Sequence, residues 1–194
     1  MKNISYAIGM NIGANLLQSG AKGLDYAEVA AGLQAVLEGQ QPRIENKEAG
    51  MLLNKFFTEL EEKAAAAAKE EGEAFLAANA TREGVVTLPS GLQYEIMTEG
   101  NGPKPKSTDT VLCHYHGTLV NGTVFDSSVR RGQPAAFPVN GVIAGWVEAL
   151  QLMPVGSKWK LFIPYNLAYG TRGAGESIPP YAALIFEVEL LEIK

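Results

Sequence analysis

Three residues with reactive side chains stand close together in the segment VLCHYHG: Cys113, His114 and His116. A thiol and an imidazole can act as nucleophile and base, but the segment has a strand pattern, in which neighbouring side chains point to opposite faces. Cys113 and His114 therefore cannot pair, and we interpret Cys113 as a buried residue. His114 and His116 share a face, but no third ligand stands near them, so we predict surface histidines and no metal site.

Two other segments match chemical signatures only in part. Residues 170–177, GTRGAGES, are glycine-rich but lack the Gly-Lys-Ser/Thr ending whose lysine holds phosphates. Ser127 and Ser128 follow Asp126 without the strand-turn-helix signature of a serine nucleophile. We therefore predict neither nucleotide binding nor serine hydrolysis, and we expect no cofactor.

Aromatic side chains remain as candidates for a site. Asp126 is the one acid near them. Aromatic residues in a domain of this size are most often core, so their spacing alone leaves a packed core and a binding pocket both open. The aromatic residues at or beside inward-facing positions are Tyr115, Phe125, Phe137, Trp146, Tyr169 and Phe186.

The elements that position these residues form the second half of the chain. After Thr81, glycine, proline and β-branched residues become more frequent, and alternating patterns predict strands at 92–98, 110–119, 158–163 and 184–193. Helical spacing from Ile143 through Trp146 to Leu150 predicts a short helix that begins in VIAGW. We therefore predict a curved sheet closed over one short helix.

The first half of the chain has helical patterns. One short helix has Ile4, Ile8, Ile12 and Leu16 on one face, and a second follows Asp25, which with Glu28 predicts a reciprocal N-terminal cap. A long helix is predicted over 47–79, because no proline interrupts its strong helix formers. Its first part is apolar, whereas residues 61–73 are mostly alanine and charged residues and are interpreted as a solvated bridge.

Two short helices and half of a long one cannot enclose much core. We therefore predict a homodimer through residues 1–60, in which the same patch serves both chains. The alternative is a monomer with the short helices folded onto the long one. The predicted domains are a helical dimerisation segment at 1–44, a connecting helix and linker at 45–84, and a separate sheet domain at 85–194.

Composition excludes several classes of partner. The chain has 194 residues and a formal net charge of −5, without a basic patch that would attract nucleic acid. No stretch is apolar enough to span a membrane, and Asn11 and Asn15 interrupt the apolar run that a signal peptide would need. The single cysteine, Cys113, fits a reducing compartment. We expect a cytoplasmic protein.

Four segments, in order, resemble the FKBP family of peptidyl-prolyl cis-trans isomerases: LPSGLQY, VLCHYHGTLVNGTVFDSS, VNGVIAGW and YNLAYGTRGAGESIPPYAALIFEVELL. The resemblance covers about residues 85–194. The layout of the N-terminal helices is similar to the dimerising segment of the bacterial two-domain members, such as the macrophage infectivity potentiator, FkpA and FklB. The implied fold is α+β, with a half-open antiparallel sheet wrapped around a short helix after the helical segment.

The resemblance also implies the site. Its catalytic residues would be Tyr115, Phe125, Asp126, Tyr169 and Phe186. Residues that bind the substrate, or a macrolide inhibitor of the rapamycin or tacrolimus type, would be Phe137, Val142, Ile143, Trp146 and Ile178, with Trp146 as the floor. Ala135 and Ala174 depart from the family pattern at the rim.

The implied reaction is X-Pro isomerisation in unfolded or flexible protein clients, with chaperone-like capture by the dimeric arm. Rotation about an amide breaks no covalent bond, so Asp126 is expected to orient its neighbours and not to act as a general base. Two alternatives stay open. The pocket could bind a proline motif without useful turnover, or the helical dimer could be a scaffold on which the aromatic domain merely docks.

Overall fold

A computed structural model describes residues 1–175 and 177–194 of the chain. Contacts divide the chain into two compact units, Met1–Lys63 and Ala64–Lys194. The division lies inside the long helix, which extends from Asn46 to Asn79, within one residue of its predicted start. Among the described helices, none has the length and hydropathy to cross a membrane.

The N-terminal unit consists of α1 (Lys2–Gln18), α2 (Tyr26–Leu37) and the first part of α3 (Asn46–Asn79). Asp25 caps α2, because its Oδ1 accepts hydrogen bonds from the backbone N–H of Ala27 at 2.9 Å and of Glu28 at 3.2 Å. The cap is therefore confirmed. Its reciprocal half is not, since the Glu28 carboxylate forms an ion pair with Arg43 at 2.9 Å.

The apolar faces of the N-terminal unit are largely uncovered. Every residue of α1 and α2 is described, and none of them is buried. A cleft of about 460 Å³ lies between the two helices and is lined by apolar side chains that include Ile12, Leu16 and Val29. The helices of this unit therefore have apolar faces suited to forming a core, but within one chain these faces do not enclose one.

The C-terminal unit is built on an antiparallel sheet in the order β1-β2-β6-β7-β3-β4, with β5 paired to β3. The strands are β1 (Val85–Thr87), β2 (Gln93–Thr98), β3 (Thr110–Leu119), β4 (Val124–Ser127), β5 (Ala135–Pro138), β6 (Lys158–Ile163) and β7 (Leu184–Ile193). The helices are α4 (Ser128–Arg131) and α5 (Ala144–Leu152), with short 3₁₀ turns at Val139–Gly141 and Tyr165–Leu167. The four predicted strands are confirmed, and β1, β4 and β5 are additional.

The core lies between the sheet and α5. Trp146, Ala149 and Leu150 of α5 are buried in the same cluster as Leu161 of β6 and other strand residues. Close approach of the helix requires a glycine, because a Cβ at position 145 would lie 2.6 Å from a side-chain carbon of Ile163. The predicted α+β fold, with a half-open antiparallel sheet around one short helix, is confirmed.

The second part of α3 packs on the C-terminal unit. Gly72 and Asn79 are buried, and the ring of Phe75 lies 5.9 Å from that of Phe162 on β6. The Asn79 amide donates a hydrogen bond to the side-chain oxygen of Gln93 at 2.8 Å. The prediction of a solvated bridge is therefore wrong for one face of this helix, where small residues allow close packing.

Candidate functional site

An open cavity of about 690 Å³ lies in the C-terminal unit. Its lining includes all ten residues that the sequence predicts for the site: Tyr115, Phe125, Asp126, Phe137, Val142, Ile143, Trp146, Tyr169, Ile178 and Phe186. Gly141, Ala174 and Ser177 complete the lining. The structure therefore brings together residues that five separate segments contribute.

The indole of Trp146 forms the floor of this cavity, on the first turn of α5. It is 4% exposed and is ringed by three aromatic side chains in edge-to-face geometry. The ring centroids lie 5.6 Å away for Tyr115, 5.7 Å for Phe137 and 5.2 Å for Phe186. This geometry is favourable for aromatic quadrupoles and fixes the indole, so that the floor is flat and apolar.

The rings of Phe125 and Phe186 come from β4 and β7, the two strands on either side of β3, at a point where only glycine fits on β3. Gly117 of β3 pairs with Phe186 of β7. A Cβ on Gly117 would lie 2.7 Å from ring atoms of both Phe125 and Phe186. The absence of that atom lets the two rings meet edge to face at 5.4 Å and close one side of the cavity.

A polar corner of three side chains interrupts the apolar lining. The Tyr115 hydroxyl donates a hydrogen bond to Asp126 Oδ2 at 2.5 Å, and Arg131 Nη2 donates to the same hydroxyl oxygen at 2.6 Å. Arg131 also forms an ion pair with Asp126 Oδ1. The backbone N–H of Ser127 donates to this oxygen as well, at 2.8 Å. The corner therefore fixes the phenol of Tyr115 at the edge of the cavity.

The same contacts set the protonation of the corner. Partial burial by itself raises the pKa of the Asp126 carboxyl, but hydrogen bonds from Tyr115 and Arg131 and the charge of Arg131 outweigh it and hold this pKa below its ordinary value. Burial and the hydrogen bond to Asp126 raise the pKa of Tyr115. Near neutral pH, Asp126 is therefore a carboxylate and Tyr115 a phenol.

Sequence reasoning missed Arg131. Its position depends on the single turn of α4, where Ser127 Oγ accepts a hydrogen bond from the Arg130 N–H at 3.2 Å. Ser128 Oγ accepts one from the Tyr115 N–H at 2.7 Å, which fastens the turn to β3. The available signal was a serine cap followed by two arginines and a glycine. This pattern predicts a helical turn, but it does not predict that Arg131 pairs with Asp126.

Another part of the cavity wall is the loop that carries Tyr169 and Ile178. Ala174 and Ile178 form two mutual backbone hydrogen bonds, with N to O distances of 2.8 and 3.1 Å. A Cβ on Gly173 would lie 2.2 Å from the Ile178 carbonyl oxygen, so this glycine permits the closure of the loop. Glu176, part of the predicted glycine-rich segment, lies outside the described residues.

The rejected candidates have other environments. Cys113 is fully buried, and burial raises the pKa of its thiol to about 12, so that it is not a nucleophile near neutral pH. His114 Nδ1 lies 3.1 Å from Ser128 Oγ, and His116 Nδ1 lies 3.0 Å from Ser127 Oγ. Within the described part of the chain, no three metal-ligating side chains form a group.

The two parts of the chain match two family models. Residues 102–191 match the model described as FKBP-type peptidyl-prolyl cis-trans isomerase. Residues 1–96 match the domain amino terminal to FKBP-type peptidyl-prolyl isomerase. Together the two matches account for nearly the whole length.

Similar proteins match this chain over most of their length. The FKBP-type 22 kDa peptidyl-prolyl cis-trans isomerase of Escherichia coli (strain K12) is 50% identical over 196 residues, which cover 97% of this chain and 93% of that protein. The outer membrane protein MIP of Legionella longbeachae is 43% identical over 98% of this chain and 84% of its own. The crystal structure of FkpA from Escherichia coli superposes with a TM-score of 0.77 at 34% identity, covering 100% of this chain and 94% of that one.

Proposed function

We propose that this chain, which belongs to the family of FKBP-type peptidyl-prolyl cis-trans isomerases and is such an enzyme, isomerises X-Pro bonds that are bound on the floor formed by Trp146. The observation that carries this assignment is the indole held edge-to-face by three rings, with one polar corner beside it. The floor offers a flat aromatic surface against which a pyrrolidine ring can pack.

Amide rotation requires loss of resonance, which costs about 18–20 kcal/mol, but it moves no proton. A planar amide is more dipolar than a twisted one. A cavity with an apolar lining therefore raises the free energy of the planar form relative to the twisted form when it removes the amide from water. Isomerisation without help takes tens to hundreds of seconds at 25 °C, so even modest acceleration changes the rate of folding.

The roles of the remaining residues follow from their positions. Phe125 and Phe186 enclose the proline ring, and the Tyr115 phenol faces the amide at the polar corner. The Asp126 carboxylate holds this phenol in place and interacts electrostatically with the twisted amide. Its lowered pKa agrees with a residue that stays charged. Tyr169 and Ile178 hold the peptide that flanks the proline.

Isomerisation of a proline tetrapeptide, followed by NMR exchange, tests these roles. Asp126→Asn removes the charge at nearly constant shape, and we expect kcat/KM to fall about 10-fold. Tyr169→Phe removes one hydroxyl group and should lower the rate less. The matched control is Tyr94→Phe, since Tyr94 stacks on Trp159 at 4.3 Å, outside the cavity lining.

Two results would count against this assignment. Full activity in Asp126→Asn would remove the polar corner from the mechanism. A wild-type chain that binds the tetrapeptide without accelerating its exchange would favour the binding-module alternative.

The exposed N-terminal unit supports a second part of the proposal, a homodimer through residues 1–60 that captures protein clients. Its apolar side chains include Ile8, Ile12, Leu33 and Leu52, of which Ile8 is 57% exposed. A second copy would cover them with the same apolar face. Two catalytic units in one molecule would raise the effective concentration of a client that engages more than one surface.

Charge placed on one face of α1 tests dimerisation and capture together. Ile12→Glu puts a carboxylate into the cleft between α1 and α2, whereas Ala14→Glu adds the same charge at a position outside that cleft. We expect Ile12→Glu alone to sediment as a monomer, to keep tetrapeptide turnover and to lose most acceleration of the refolding of a proline-limited protein. Equal refolding rates for both variants would contradict capture by the arm.

The cavity also supports the prediction that macrolides of the rapamycin or tacrolimus type bind here. A volume of about 690 Å³ falls in the range of sites for drug-sized ligands. We expect rapamycin to compete with the tetrapeptide. The measurement is the inhibition constant, and inhibition that does not depend on substrate concentration would place the inhibitor elsewhere.

A cytoplasmic location is proposed on narrower grounds. The chain has one cysteine, and it is buried, which suits a reducing compartment. One similar protein carries the name outer membrane protein. Fractionation of cells that express the untagged chain decides the point, because recovery with periplasmic or membrane markers would overturn the proposal.

A further inference from the structure

The wall of the cavity that carries Ile178 continues into a short strap, residues 179–183, that leads to β7. Tyr181 at its centre has φ of +60°, a left-handed value that is rare for an aromatic residue. Its N–H donates to the Gly170 carbonyl at 2.9 Å, and the Gly170 N–H donates to the Tyr165 carbonyl at 2.8 Å. Tyr181 therefore joins the two ends of the loop that carries Tyr169 and Ile178.

The ring of Tyr181 lies away from the cavity lining and contacts other elements. Its centroid lies 5.2 Å from that of Tyr165, in edge-to-face geometry. Lys69 Nζ of α3 lies 5.8 Å from the same centroid, which is within cation–π range. A backbone conformation that is unfavourable by itself is thus held by side-chain contacts.

Helix α3 presses on the strap one turn further along. A Cβ on Gly72 would lie 2.9 Å from the Cβ of Ala183 and 3.3 Å from its backbone nitrogen. Gly72, Tyr181 and Ala183 also line one cleft of about 400 Å³ with Tyr165. The helix backbone at Gly72 therefore lies close to the methyl group and backbone of Ala183, and no side chain of α3 separates them.

The position of α3 is fixed independently of the strap. The Gln93 amide on β2 donates to the Leu76 carbonyl at 2.9 Å and accepts from the Asn79 amide at 2.8 Å. Phe75 packs against Phe162. A helix anchored on β2 and β6 can therefore act as a fixed support for the strap.

We propose that Lys69 and Gly72 of α3 are positioning residues for the isomerase site, because they support Tyr181 and Ala183 and thereby set the wall formed by Tyr169 and Ile178. The inference rests on the function proposed above. It assigns residues 64–79 to the working catalytic unit, so that a catalytic fragment that begins near Val85 lacks one of its supports.

The test uses the full-length chain with a matched pair of glycine substitutions in α3. Gly72→Ala and Gly50→Ala each add one methyl group and the same helix propensity, but a Cβ at position 50 meets no atom within 4 Å. We expect Gly72→Ala to raise KM for the tetrapeptide about 3- to 10-fold with kcat within about twofold, because the wall binds peptide while the floor is unchanged. Gly50→Ala should keep both constants.

A rescue separates positioning from a general loss of stability. Ala183→Gly removes the methyl group that the new side chain would meet. The double variant Gly72→Ala/Ala183→Gly should therefore have a KM close to that of the wild type. A lower melting temperature for Gly72→Ala with unchanged KM would overturn the inference. So would a raised KM that the second substitution does not restore.

A second variant keeps the test decisive if Gly72→Ala does not fold. Tyr181→Asn retains a residue that tolerates the left-handed conformation but removes the ring contacts to Lys69 and Tyr165. We expect the same rise in KM, and an unchanged KM would overturn the inference. A further outcome separates this inference from the proposed function. If Asp126→Asn loses activity while Gly72→Ala and Tyr181→Asn keep the wild-type KM and kcat, the proposed function stands and only the support by α3 is rejected.

Discussion

The two units of this chain have similar apolar patterns and opposite exposure. In the C-terminal unit, Leu150 and its neighbours on the sheet have no exposed surface. In the N-terminal unit, Leu37 is 84% exposed and Ile8 57% exposed, although both belong to amphipathic helices. The pattern of a sequence thus identifies the face to be buried, but it does not say whether the same chain provides the cover.

The difference has a physical origin in the elements themselves. A sheet of seven strands with a helix across it encloses a core within one chain. Two helices of 17 and 12 residues and part of a third enclose a cleft and little else. A unit of about 60 residues buries a smaller fraction of its surface than a larger domain does, so it gains most from association.

The largest expected effect is a dependence of the helical unit on protein concentration. Unfolding of a dimer follows mass action, so a 100-fold dilution should lower the stability of the N-terminal unit by about 2.8 kcal/mol. Both tryptophans, Trp146 and Trp159, lie in the C-terminal unit and report on it alone. Circular dichroism should therefore detect a concentration-dependent helical transition, while tryptophan fluorescence should detect a transition that dilution does not move.

A helical transition that stays at the same temperature on dilution would contradict this expectation. It would favour the monomer in which the short helices fold onto the long one. The variants Ile12→Glu and Ala14→Glu also separate the dimer from the monomer. Only the dimer predicts that Ile12→Glu abolishes the dependence on concentration while Ala14→Glu keeps it.

A pair of leucine substitutions sharpens the contrast between the units. Leu150→Ala opens a cavity in a closed core and should cost about 2–5 kcal/mol in the transition reported by tryptophan fluorescence. Leu37→Ala should leave that transition unchanged and, if a second chain covers this residue, should lower the helical one. An equal effect of both substitutions on the fluorescence transition would mean that the units unfold as one.

Sequence patterns predicted most of the fold, and the missing parts share a cause. The four predicted strands have six or more residues, enough to display a period of two. The missed strands, β1, β4 and β5, have three or four residues. The packed face of α3 was missed for a related reason: Ala65 and Ala68 are half-buried and Gly72 is buried, and such small residues give a weak apolar pattern.

The candidate site was predicted less from spacing than from resemblance. Spacing placed the aromatic residues at inward positions but could not distinguish a lining from a core. Arg131 was missed because its ion pair with Asp126 depends on the capped turn of α4, which no periodicity reveals. The contact between Lys69 and Tyr181 joins positions more than a hundred residues apart. Local sequence patterns do not predict such a contact, because it forms only when the chain has folded.

The smallest expected effect concerns acid sensitivity of the polar corner. The folded-state pKa of Asp126 lies below its ordinary value of 3.8, so the stabilisation by its carboxylate is complete above that pH and is lost as the pH falls through the folded-state pKa. Arg131→Gln removes a hydrogen bond and a charge that lower this pKa and leaves the burial that raises it. The acid limb of kcat/KM should therefore move to higher pH in this variant.

Arg130→Gln is the matched control for this last prediction. It removes the neighbouring positive charge, while the backbone N–H of residue 130 keeps its hydrogen bond to Ser127 Oγ. NMR titration of the Asp126 carboxyl carbon follows the pKa directly, alongside kcat/KM as a function of pH. If the acid limbs of Arg130→Gln and Arg131→Gln coincide, the contact between Arg131 and Asp126 does not control the corner, and net charge alone accounts for the shift.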